Sequence, residues 1–84
     1  MVNKKSIQIL TDHGSSFGIG HYVRCLDIRE KLILRGYEVG IIKVSEEKIK
    51  NKSDLYIIDL PYDMSEFIEK YRNQGAKVLT LEHF

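Results

Sequence analysis

The stretch Leu-Tyr-Ile-Ile-Asp-Leu at residues 55 to 60 constrains the fold most, because five of its six side chains are apolar or aromatic. A strand with one face in water alternates apolar and polar residues, whereas this one needs cover on both faces, the situation of a strand inside a parallel sheet. Pro61 ends it. Three further segments read as strands: Ser6 to Leu10 with Ile7, Ile9 and Leu10; Tyr37 to Val44 with Val39, Ile41, Ile42 and Val44; and Lys77 to Leu81.

Helical segments alternate with these strands. Gly20 to Arg35 contains no glycine or proline after its first residue, and Gly36 follows as a stop signal. Helical spacing places His21, Cys25, Ile28 and Leu32 on one face, with Tyr22, Leu26 and Ile33 beside them, and Arg24, Asp27, Lys31 and Arg35 on another. Met64 to Asn73 carries Met64, Phe67, Ile68 and Tyr71 at helical spacing, with Asp63 or Ser65 to cap its start and Gly75 just past its end. The alternation predicts an α/β fold: a four-stranded parallel sheet covered by helices through right-handed crossovers. The link from Ser45 to Ser53 is short for a parallel crossover, which usually takes about a dozen residues, and has room for one or two helical turns around Glu46 to Lys50.

Eighty-four residues make one small domain, expected to span residues 1–84. A net charge of +1 gives no basic field for nucleic acid, and Lys48, Lys50 and Lys52, preceded by Glu46 and Glu47, read as a solvated linker. Cys25 is the single cysteine, expected as a buried thiol rather than a nucleophile. The sequence has no run long enough for a membrane span or signal peptide, so a cytoplasmic setting is expected.

In parallel sheets, ligands bind beyond the carboxyl ends of the strands, where a helix start offers free N–H groups. Residues Asp12 to His21 fall there, and Gly18 to Arg24 is expected to form a phosphate- or sugar-binding turn into the first helix. Gly14, Gly18 and Gly20 permit close backbone approach, and Ser15 and Ser16 add hydroxyls. A dinucleotide fingerprint would need glycine or alanine where Val23 stands, and no Gly-Lys-Ser or Gly-Lys-Thr is present, so neither a nicotinamide cofactor nor a P-loop is expected.

His21 opens the helix, where the dipole disfavours its protonation, so it is either a general base or a group that caps the helix or packs with Cys25. Arg24 is placed either to meet an anionic ligand or to pair with Asp27 in solvent. Asp59 and Tyr62 reach the same edge from a second direction, as ligand groups or as a helix cap and a packed aromatic. No metal is expected, because His13, His21 and Cys25 lack companions that complete a set.

The run Gly-Ile-Gly-His-Tyr-Val-Arg-Cys-Leu, with a helix ending Leu-Arg-Gly-Tyr-Glu-Val, resembles the start of the family of the pseudaminic acid pathway UDP-sugar hydrolase and the spore-coat polysaccharide glycosyltransferases. The likeness is strongest from Asp12 to Val39 and looser through Asp54 to Asp59 and Ala76 to Glu82. It implies a GT-B enzyme of surface polysaccharide or nonulosonic acid biosynthesis, of which this chain is a truncated or minimal N-terminal domain. It further implies a small Rossmann-like three-layer domain with strand order 2-1-3-4 and a UDP-sugar as substrate, with no cofactor.

On that resemblance His21 takes the place of the histidine that acts at the sugar. Asp12, Ser15, Ser16, Gly18, Gly20, Arg24, Asp59 and Tyr62 would line the substrate side. Asp59 and Tyr62 look like the family's Asp-x-Tyr element, with two residues between them here instead of one. Family members also carry a further strand and helices before that element, and a C-terminal domain that supplies most nucleotide contacts. Little or no turnover is therefore expected from these residues alone. The partner would be the missing domain, another chain or, through the edge strand at Lys77 to Leu81, a second copy. The competing expectation is a non-catalytic α/β binding module that keeps the glycine turn for its fold.

Overall fold

A computed structural model describes residues 5–12, 19–45, 48–49, 53–60 and 63–81, with 19–21 described in their backbone. Six elements follow in order: β1 (Ser6–Thr11), α1 (Ile19–Leu34), β2 (Glu38–Lys43), β3 (Leu55–Ile58), α2 (Ser65–Asn73) and β4 (Lys77–Thr80). The strands form one all-parallel sheet in the order β2-β1-β3-β4. The α/β class and the strand order agree with expectation.

Strand pleating sends alternate residues to opposite faces, which explains why these strands are apolar throughout. Ile7, Ile9 and Ile57 pack with Cys25, Ile28 and Leu32 on the α1 face. Leu10, Ile42, Tyr56, Ile58 and Val78 pack with Met64, Phe67, Ile68 and Tyr71 on the α2 face. The β1-to-β2 and β3-to-β4 crossovers run in opposite directions on opposite faces, as two right-handed crossovers must. In the short link between β2 and β3, Val44 and Ile49 pack against the core on the α2 side. Lys48 and Ile49 are not helical, and the rest of the turn expected at Glu46 to Lys50 lies outside the described residues.

Both helices end in the same device. In α1 the Gly36 N–H donates to the Ile33 carbonyl and Tyr37 N–H to Leu32, and in α2 Gly75 N–H donates to Arg72 and Ala76 N–H to Tyr71. This is the Schellman pattern, and it needs the positive φ of 95° at Gly36 and 92° at Gly75. At the other end of α2 no side chain caps Met64, but Asp63 accepts bonds from the Ser65 N–H and hydroxyl.

The α2 face holds an aromatic cluster, with ring centroids of Tyr56, Phe67 and Tyr71 between 4.3 and 5.7 Å apart. Buried among them is Gln8, whose Nε2 donates to Ser53 Oγ at 2.6 Å. The α1 face is covered less completely: Leu79 on β4 is half exposed, and Ile33, placed by helical spacing beside the packing face, is 47% exposed. Helix α1 packs over β1 and β2, and among the described residues no helix covers the β4 side of this face. The outer edge of β4 is partly blocked, because Arg72 Nη2 donates to the Val78 carbonyl at 3.1 Å.

Candidate functional site

The sheet order creates a switch point between β1 and β3, from which the chain departs to opposite faces. Crevices at such points hold ligands in open parallel sheets. The residues at its carboxyl end are polar and buried: Thr11 and Asp59 are fully buried, and Asp12 is 8% exposed. The ladder continues one residue past β3, where the Asp59 N–H donates to the Leu10 carbonyl at 2.8 Å, so the Asp59 carboxylate is set rigidly beside the end of β1.

That carboxylate is engaged from α1. Arg24 Nη2 donates to Asp59 Oδ1 at 2.7 Å and Nε to Oδ2 at 3.3 Å, a two-pronged pair in which the Arg24 side chain is 46% exposed and the Asp59 side chain completely enclosed. The Cys25 thiol donates to Asp59 Oδ2 at 3.3 Å. Burial, and then the hydrogen bond to Asp59, push this thiol up to about 12, so Cys25 stays protonated and inert as a nucleophile near neutral pH. Asp27, the alternative partner expected for Arg24, bonds instead to Lys31 at 2.9 Å one turn along the helix.

Asp12 stands at the end of β1, and its Oδ1 accepts from the Ser45 hydroxyl at 2.6 Å. Ser45 reaches it because the Val44 N–H continues the ladder onto the Thr11 carbonyl at 3.0 Å. On the β2 side of α1, Lys43 Nζ lies 5.5 Å from the centre of the Tyr22 ring. The start of α1 is thus flanked by Arg24 on one side and by Tyr22 with Lys43 on the other.

Of the expected site residues, Asp12, Arg24 and Asp59 come together at this end of the sheet. The segment read as a turn from Gly18 to Arg24 is already helix from Ile19 onward, so Gly20 and His21 lie in the first turn of α1, one turn before Arg24 and Cys25. The side chain of His21, and all of Ser15, Ser16, Gly18 and Tyr62, lie outside the described residues. Arg24 and Asp59, expected as separate ligand groups, are bonded to each other. Sequence reasoning missed Thr11, Ser45 and the Tyr22–Lys43 contact. One usable signal was Asp59 itself, an acid in an otherwise apolar buried run, which requires a cation or donors nearby.

At the amino ends of the strands an open groove of about 1190 Å3 is lined in part by Lys5, Leu32, Tyr37, Asp54, Lys70 and Lys77. It faces away from the start of α1. Asp54 there accepts from the Ser6 N–H at 2.8 Å. Among the described residues no group of three His, Cys, Asp or Glu could hold a metal ion, and no helix is long and apolar enough to cross a membrane. No family model matches this chain, and neither a curated protein nor a solved structure does.

Proposed function

We propose that this domain forms the sugar-side half of a nucleotide-sugar site, as the N-terminal half of a GT-B hydrolase or glycosyltransferase with His21 as base. The observation that carries this reading is the convergence of the start of α1, Asp12 and the Arg24–Asp59 pair on the carboxyl end of the sheet at its switch point. The resemblance over Asp12 to Val39 supplies the substrate class. A histidine in the first turn of a helix is held neutral by the dipole, which lets it accept a proton from water, or from an acceptor hydroxyl, as oxygen attacks the anomeric carbon. The nucleotide diphosphate then departs, and a second domain would hold its nucleoside part and exclude bulk water.

The test is a titration of the chain with UDP-N-acetylglucosamine, following the backbone amides of Ile19 to Arg24 and the His21 ring by NMR. Saturable shifts that UDP competes away are expected. No shift at millimolar ligand sinks the reading. The second reading, a non-catalytic α/β module, draws support from the same ion pair, since Arg24 and Asp59 tie α1 to β3 whether or not a ligand binds.

A further inference from the structure

The Arg24–Asp59 pair is lopsided. Its carboxylate side chain is fully enclosed while the Arg24 side chain is 46% exposed, so the exposed side of the pair is the arginine. A buried carboxylate is costly unless it is bonded, and Asp59 accepts two bonds from Arg24 and a weaker one from the Cys25 thiol. Asp59 therefore holds Arg24 in one orientation whether or not a ligand is present. The two bonds to Asp59 use Nε–H and one Nη2–H. The remaining three N–H donors of the planar group have no partner among the described residues, and a guanidinium edge of this kind matches two oxygens of a phosphate.

We propose that Asp59 is a positioning residue that never touches ligand, and that it presents Arg24 as a pre-oriented anchor for a phosphate oxygen at the mouth of the switch-point crevice. The proposal rests on the nucleotide-sugar reading, in which that phosphate belongs to the diphosphate. Holding the guanidinium in advance removes the ordering cost that a free arginine would meet on binding. Because the pair is neutral as a whole, the anchor works through directed hydrogen bonds more than through net charge. Cys25 closes the back of the carboxylate and keeps water from it.

The test uses the full chain with three probes, inorganic pyrophosphate, UDP and UDP-N-acetylglucosamine, and reads both the dissociation constant and the Arg24 Nε–H resonance. In the wild type a sharp Arg24 Nε–H signal, protected from exchange, should move on adding each probe. Asp59→Asn keeps the shape but loosens the hold, and Arg24→Lys keeps the charge but loses the planar fork; each should weaken binding about tenfold, the worth of one charge-assisted hydrogen bond. Should Asp59→Asn fail to fold, Arg24→Lys and the wild-type resonance still decide.

If UDP-N-acetylglucosamine binds while the Arg24 signal stays still, or while folded variants bind as tightly as the wild type, the anchor is overturned and the nucleotide-sugar reading stands. If pyrophosphate moves Arg24 and both variants weaken it, but the UDP-sugar binds no better than pyrophosphate, the anchor stands and that reading fails. No binding of any probe overturns both.

Discussion

The two ends of the sheet solve different problems. At the amino end, the chain reverses after each helix through glycines at positive φ, and the carboxylate there, Asp54, is exposed and bonded to a backbone N–H. At the carboxyl end, Asp12 and Asp59 are buried and their partners include side chains from other parts of the chain, Ser45, Arg24 and Cys25. Folding alone explains the first arrangement, because it satisfies orphan helix carbonyls at little cost. The second encloses charge where apolar residues of similar size would serve stability as well or better, and such burial concentrates where a protein handles ligands.

The sharpest way to break this contrast is Arg24→Met. It takes the two Arg24 bonds from the enclosed Asp59 carboxylate and should lower stability by about 3 kcal/mol, the low end for broken buried pairs because the Arg24 side chain is itself partly in solvent. The double variant Arg24→Met with Asp59→Leu should recover most of that in urea denaturation. A single-variant loss under about 1 kcal/mol would make the pair equivalent to an ordinary surface bridge and remove the distinction between the ends.

Cys25 tests the enclosure from within. Its thiol titrates near 12 in the folded chain, whereas a free cysteine titrates near about 8.5, so the unfolded chain gives up this proton first. The resulting contribution to stability is fully present below about pH 8.5 and is lost as pH rises from there toward 12. Urea midpoints for wild type and Cys25→Ala, compared across that window, should diverge with wild type falling faster. Parallel slopes would mean that water reaches the thiol and the carboxylate behind it.

At the amino end the expected effect is smaller. Gly36→Ala meets nothing within 4 Å, so its cost comes only from holding a φ of 95° with a side chain, roughly 1 to 2 kcal/mol. Gly75→Ala, at a φ of 92° and equally open, should match it. Thermal melts check both, and a cost well above that at Gly36 would show packing at the amino end that the open surroundings do not contain.

Much of the fold was legible because its signals are local. The apolar run at Leu55 to Leu60, the glycine-free stretch before Gly36 and the Met64-Phe67-Ile68-Tyr71 spacing each report one element without reference to another, and each element formed within about two residues of its expected bounds. Departures came where local rules meet tertiary geometry. β3 ends at Ile58, and among the described residues just beyond it the Asp59 N–H is the last to bond the neighbouring strand. Ile33 and Leu79 stay about half exposed because no helix or strand among the described residues covers them, a fact about the arrangement of helices rather than about either residue.

The site was legible only in part. Its location followed from the sequence, since a helix opening after β1 must begin at the carboxyl end of the sheet. Its internal pairing did not. Arg24 and Asp59 lie 35 positions apart, and a pair of charges at that distance has no periodicity to reveal it. The sequence by itself determined which segments are strands and helices, because burial on both faces and helical spacing are written into neighbouring residues. Only the tertiary structure decided that Arg24 answers Asp59 instead of Asp27, because that choice depends on β3 lying beside β1 and on the low polarity that makes an enclosed carboxylate seek the nearest cation.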